Sequence, residues 1–132
     1  MRVLLLGATG NLGSRLLPAL INRGHTVCAF VRDPSKLAPG IPSDRFSLER
    51  GDATKAADIK AAVTRHQCDA IVNAAGYAAM QPWGKSTLPT IVNAVIQAAL
   101  EIGQERGTPL RLWVLAGQGL MDIPTKNYML VD

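Results

Sequence analysis

Residues Gly7-Ala8-Thr9-Gly10-Asn11-Leu12-Gly13 stand directly after the apolar run Val3 to Leu6 and open an amphipathic stretch that runs to Arg23. Three glycines at this spacing, between a strand pattern and a helix pattern, leave few folds open. The first lets the chain turn sharply out of the strand, the second lets a phosphate approach the backbone, and the third lets the helix pack closely on the sheet. The N–H groups at the helix start, aligned with its macrodipole, favour an anion such as a pyrophosphate. This is the sequence form of a dinucleotide-binding strand-to-helix turn. With 12 glycines in 132 residues such a spacing can arise by chance, so its place between a strand and a helix carries the weight.

The rest of the chain alternates in the same way. Arg2 to Leu6, Thr26 to Val31, Phe46 to Glu49, Ala70 to Asn73 and Leu110 to Ala116 read as five strands. Between them lie helical patterns at Leu12 to Arg23 and Thr54 to His66, with Ile59, Ala62 and Val63 on one face, and a short turn or helix near Pro34 to Leu37. After the loop Gly76 to Lys85, Ser86 or Thr87 can cap a helix that tolerates Pro89 in its first turn. Leu88, Ile91, Val92, Val95, Ala99 and Ile102 form its apolar stripe. Strands separated by helices imply right-handed crossovers and hence a doubly wound parallel α/β sheet, a Rossmann fold of strand order 3-2-1-4-5, in a single domain over residues 1–132.

Two features strain this pattern. Pro18 falls inside the first helix, where it removes a hydrogen bond and crowds the carbonyl of Ser14 at a cost of about 3 kcal/mol, so a kink or compensating packing is expected. Leu110 to Ala116 is apolar on both faces, as an interior strand would be, yet the proposed order makes it an edge. Either later residues of a longer protein add a strand there, or a second subunit pairs with it as a homo-oligomer. The ending Asn127 to Asp132 has no natural stop, which favours a C-terminal part that is missing.

Composition narrows the partners. With 48% hydrophobic and 18% charged residues the chain is no disordered segment. Its net charge of +4 is spread over scattered Arg and Lys, which fits an anionic cofactor better than nucleic acid. The apolar runs fall far short of a membrane span and Met1 leads straight into a strand, so the expected location is cytoplasmic with no membrane partner. Cys28 and Cys68 lie in or beside strands without CxxC or Cys/His spacing, which implies two reduced, partly buried thiols and no metal site.

With the turn in place, the chain resembles the atypical, NmrA-like branch of the short-chain dehydrogenases/reductases, a group that includes biliverdin reductase B-type NADPH-dependent flavin reductases. The resemblance is carried by Gly7 to Gly13, Arg23-Gly24-His25, Val31 to Leu37, Gly51-Asp52 and Asn73-Ala74-Ala75-Gly76. It implies an oxidoreductase in which Gly7, Gly10 and Gly13 form the phosphate turn, with Thr9, Asn11 and Leu12 adding contacts. Arg32 ends the second strand, where relatives that bind NADP place an arginine for the 2′-phosphate and those that bind NAD place an acid for the ribose. A guanidinium matches phosphate bidentately, so the expected cofactor is NADP. Asp33, one residue on, keeps NAD as the alternative. Asp52 would reach the adenine edge with Ala53 beside it, and Asn73, Ala74, Ala75 and Gly76 would border the adenosine ribose and the approach to nicotinamide.

The same resemblance assigns no catalytic residue. The usual serine position is Gly117, and Tyr128-Met129-Leu130-Val131-Asp132 carries an aspartate where the family's Tyr-x-x-x-Lys pair needs lysine. A carboxylate there raises the phenol pKa. Hydride transfer by proximity, a non-catalytic redox sensor of NmrA type, and an NAD(P)-dependent epimerase or isomerase therefore all stay open. A small-molecule substrate is expected near Tyr77, Met80, Trp83 and Gln118, with Met121 nearby, because these follow the carboxyl ends of the fourth and fifth strands, the ligand side of a doubly wound sheet. His25 is expected in the turn before the second strand, and His66 at a helix end where its charge suits the dipole.

Overall fold

The computed structural model describes residues 1–37, 40, 44–75 and 88–114. Strand β1 (Arg2–Leu6) leads into helix α1 (Gly13–Asn22), followed by β2 (Thr26–Val31) and a single 3-10 turn at Pro34–Lys36. Then come β3 (Phe46–Arg50), α2 (Ala56–His66), β4 (Ala70–Asn73), α3 (Leu88–Arg106) and β5 (Arg111–Val114). All four strand pairings are parallel and the order is β3-β2-β1-β4-β5, the doubly wound order that the strand and helix alternation implies.

Alternation along the strands sorts the core into two layers. On one face Leu4, Leu6, Cys28, Phe30 and Ile71 pack against Ile59, Ala62 and Val63 of α2 and against Ile91, Val95, Ala98 and Ile102 of α3. On the other face Leu5, Val27, Ala29 and Val31 pack against Leu17 of α1. Each fully buried Leu, Ile or Val contributes roughly 1.5 to 3 kcal/mol of transfer free energy, so β1, with Leu4, Leu5 and Leu6 all at 0% exposure, anchors both layers.

The stripe of α3 differs in part from its sequence pattern. Val92 is only half-buried, whereas Ala94 and Ala98 are buried. Helices α2 and α3 lie side by side on one face, and small side chains let them approach closely, so alanines serve where a hydrophobicity pattern favours valine. The side chain of Leu88 and the capping residues Ser86 and Thr87 lie outside the described residues. Pro18 sits inside α1 without ending it. Both Pro18 and Ser14 face solvent, where water can take up the carbonyl that Pro18 leaves without a donor. Strand β5 is an edge: Arg111 and Trp113 are exposed, and β4 is its one strand neighbour among the described residues.

Candidate dinucleotide cleft

The carboxyl ends of β1 to β4 and the start of α3 enclose a cleft of about 490 Å³ lined by Gly7, Thr9, Gly10, Phe30, Val31, Arg32, Gly51, Asp52, Ala53, Thr54, Ala74, Ala75 and Ile91. Its first wall is the turn out of β1. Gly7 has φ 80°, a left-handed conformation that side chains disfavour, and a Cβ there would lie 2.6 Å from the backbone of Ala74 and Ala75. A Cβ on Gly13 would overlap the carbonyl of Gly7, so this glycine lets α1 begin directly on the turn. Gly10 differs from both, since a Cβ on it would meet nothing closer than Gly7 O at 3.5 Å. The fold leaves room there, on the cleft wall.

The start of α1 is uncapped. Its N-cap residue Leu12 makes no side-chain cap bond and the first turn holds no acidic residue. Gly10 N donates to Gly7 O at 3.0 Å and Ser14 N to Gly10 O at 2.9 Å, while the N–H groups of Asn11, Leu12 and Gly13 have no backbone acceptor among the described residues. Free amides and the positive end of the dipole therefore meet at the turn, with no acidic residue in the first turn of α1 to compete for them.

At the end of β2, Arg32 is exposed and lies on the cleft wall, whereas Asp33 does not line it. Asp33 caps the 3-10 turn instead: its Oδ1 accepts from Ser35 N at 3.1 Å and from Ser35 Oγ at 2.7 Å. The Ser35 hydroxyl, then the Ser35 amide, hold the Asp33 carboxyl below its ordinary value.

The far wall is the turn after β3. Gly51 N donates to Val31 O at 3.0 Å, tying this turn to β2. The ring of Phe30, 2% exposed, fills the space where a Cβ on Gly51 would be, with Cζ 2.5 Å from that position. Asp52 Oδ1 accepts from Thr54 N at 2.9 Å and from Thr54 Oγ1 at 2.6 Å. The Thr54 hydroxyl is the main cause of a lowered Asp52 pKa, with the Thr54 amide next and the charges of Lys55 and Arg32 adding to it, so the carboxylate is ionised and only accepts hydrogen bonds.

Of the residues singled out in the sequence, Gly7, Thr9, Gly10, Arg32, Asp52, Ala53, Ala74 and Ala75 come together around this cleft. Asn11, Leu12 and Gly13 belong to the turn and helix start without lining it. Asn73 is not among the residues lining the cleft: its side chain is wholly buried, with Oδ1 accepting from Ala75 N at 3.1 Å and Nδ2 without a partner among the described residues. Phe30, Val31, Gly51, Thr54 and Ile91 line the cleft although the sequence did not single them out as site residues. Asp-x-Thr at a strand end is an Asx-turn pattern that could have found Thr54. Phe30, Val31 and Ile91 read only as core. Gly76, the loop with Tyr77, Met80 and Trp83, and Gly117, Gln118, Met121, Tyr128 and Asp132 lie outside the described residues.

Neither histidine lines the cleft. His25 precedes β2 and its buried Nδ1 lacks a partner among the described residues. His66 ends α2 and contacts Glu49 Oε2 through Nε2 at 2.8 Å. Both cysteines are free and buried, and burial pushes the Cys28 thiol up to about 11 and the Cys68 thiol up to about 12.

Comparison with known proteins extends this geometry. Residues 7–108, from the first glycine of the turn to the segment before β5, match the NAD(P)H-binding family. The chain belongs to that family. A chloroplastic, uncharacterized protein of Arabidopsis thaliana is 26% identical to this NAD(P)H-binding chain over 99% of the chain and 48% of its own length. The oxidoreductase ylbE of Lactococcus lactis superposes with a TM-score of 0.66 at 18% identity, covering 89% of this chain and 49% of its own. A mutant of uronate dehydrogenase from Agrobacterium tumefaciens, complexed with NAD, does so with a TM-score of 0.68 at 22% identity, covering 91% and 42%. The membership and the Rossmann-fold neighbours bear out the resemblance to atypical short-chain dehydrogenases/reductases. This NAD(P)H-binding chain spans about half the length of the proteins it matches. Among the described residues no helix is long and apolar enough to cross a membrane.

Proposed function

We propose that the cleft binds NADP(H) and that the protein is an oxidoreductase that brings the bound cofactor together with a small organic substrate. The fit of a dinucleotide rests on the chain's own features. Gly10 presents bare backbone to the cleft although the fold does not demand a glycine there, and the uncapped start of α1 offers free amides beside it. These groups would hold the pyrophosphate. Asp52 and Ala53 would face the adenine, and Ala74 and Ala75 the ribose side.

The observation that carries the preference for NADP is the contrast between Arg32 and Asp33. Arg32 lines the cleft and makes no salt bridge among the described residues, its charge reaching Asp52 only at longer range, while the Asp33 carboxylate is turned to capping Ser35. A 2′-phosphate would find its bidentate donor at Arg32, and a ribose diol seeking a carboxylate would find Asp33 engaged elsewhere.

When bound, the cofactor supplies the hydride chemistry. The protein's part is to bind and orient, with positioning doing most of the catalytic work. A sensor reading is favoured by one sequence feature, Asp132 at the place of the family's lysine, and turnover separates it from the enzyme reading. Oxidation of NADPH with quinone, flavin or aldehyde panels supports the enzyme; cofactor binding with no turnover supports the sensor.

The first test is a fluorescence titration with NADPH and NADH, repeated on Arg32→Ala. Tighter binding of NADPH, with a loss of about 1 to 3 kcal/mol in the variant, is the expected result. Equal affinity for the two nucleotides, unchanged in Arg32→Ala, would overturn the NADP assignment.

A further inference from the structure

The turn that would face the adenine is held from behind by a side chain that lines no part of the cleft. Asp52 N donates to Asp58 Oδ2 at 3.0 Å. Asp58 is the third residue of α2, whose N-cap residue Lys55 provides no side-chain cap. A carboxylate at this position ordinarily turns back to the N–H of the N-cap residue. Here Lys55 N is already committed to Asp52 O at 3.0 Å, so Asp58 reaches three residues further, to Asp52 itself.

The consequence is mechanical. The bonds from Thr54 fix the Asp52 carboxylate relative to its own turn, but they do not fix that turn relative to the rest of the molecule. Three bonds do: Gly51 N to Val31 O on the β2 side, and on the α2 side Lys55 N to Asp52 O and Asp52 N to Asp58. Asp58 is in turn immobilised by its neighbour Ile59, which is completely buried in the core. Since Thr54 occupies Oδ1, Asp52 Oδ2 is left as an acceptor, and the adjacent Ala53 N–H has no acceptor among the described residues. A fixed acceptor beside a fixed donor matches the N6 amino group and N1 of adenine. It opposes a 6-oxopurine, which presents an oxygen and an N1–H.

We propose that Asp58 is a positioning residue that acts through Asp52 to make the cleft selective for a 6-aminopurine base. The inference rests on the dinucleotide reading above. Without the Asp58 bond the Asp52 amide loses its partner, the α2 side holds Asp52 through its carbonyl alone, and with that freedom the acceptor and donor are no longer kept on one base edge.

The test is a titration of the full chain with NADPH and with its reduced hypoxanthine counterpart, for the unaltered protein, Asp58→Ala and Asp58→Asn, with thermal melts alongside. The unaltered chain should prefer NADPH by about tenfold or more. Asp58→Ala should reduce that preference to about twofold while leaving the NADPH to NADH ratio, set by Arg32, unchanged. Asp58→Asn, whose amide oxygen can still accept from Asp52 N, should keep the preference. If Asp58→Ala does not fold, Asp58→Ser serves the same comparison, since its side chain is too short to make the bond yet suits a helix start.

A variant that weakens both nucleotides equally would overturn the proposal and leave Asp58 as a structural helix-start carboxylate. An unaltered chain that binds both bases equally would overturn it too, with the dinucleotide reading intact. Binding of neither nucleotide would overturn both readings together.

Discussion

Gly10 and Gly13 lie three residues apart and answer to different demands. Gly13→Ala places a methyl group on the carbonyl of Gly7 and forces α1 away from the turn, which should lower stability by about 1 to 3 kcal/mol. Gly10→Ala meets only an ordinary contact at 3.5 Å and has no positive φ to accommodate, so its stability should change by no more than about 0.5 kcal/mol. The same methyl group projects from the backbone that a pyrophosphate would approach, and NADPH affinity should fall by about tenfold or more. Thermal melts and titrations on the pair check both halves. A Gly10→Ala protein that binds NADPH undiminished would count against the turn as the phosphate site. The glycine spacing was legible in the sequence, and so was the assignment of the second glycine to the ligand and the third to packing; how closely Ala74, Ala75 and α1 approach the turn was not. Arg32 and Asp33 make the same point. The sequence prefers Arg32 but, with Asp33 its neighbour at the strand end, leaves NAD open as the alternative; the engagement of Asp33 by Ser35 is seen only in the structure.

Between β3 and α2 lies a cluster that no local pattern announces. Glu49 of β3 receives Arg65 and His66 from the last turn of α2, and His66 Nδ1 is 3.4 Å from Ser47 Oγ on the same strand. His66 is the first cause, and Arg65 the second, of a Glu49 pKa below its ordinary value of 4.5. A carboxyl whose pKa is lower folded than unfolded contributes stability that is fully present above the unfolded value and disappears as pH falls through the folded one. The contribution of the Glu49 carboxylate should therefore be fully present above pH 4.5 and lost progressively below it. Melting temperature followed from pH 7 downward should show this acid limb, shallower in Glu49→Gln; an identical limb in the variant would assign it to other carboxylates. The sequence shows the helix end and its basic residues, and His66 does end α2. The partner is 17 residues away in the chain and becomes visible only when β3 is set in register on β2, with Glu49 opposite Phe30. Elements with strong periodicity were thus legible down to strand order. Contacts that depend on register, and alanines chosen for helix approach as in α3, were not.

Among the described residues the two faces of the sheet are covered unevenly: α2 and α3 lie on one, while α1 packs on the other. That second face leaves a groove of about 500 Å³ along Val3, Leu16, Leu20, Val72 and Trp113, and the indole is 56% exposed. Cys28 and Cys68 both lie on the better covered face, at 3% and 1% exposure. Burial that raises both thiols toward 11 and 12 keeps them protonated as well as shielded, so a thiol reagent can act only when that layer comes apart. The two cysteines should therefore label together, at the pace of a common opening. A ligand that binds the closed protein alone makes such openings rarer, and NADPH at about 100 times its dissociation constant should slow the reaction about a hundredfold. An unchanged rate at saturating NADPH, or cysteines that label at widely different rates, would contradict this. Two residues with no part in the cleft would in this way act as its clock, turning occupancy at one end of the sheet into the timing of a covalent reaction in its interior.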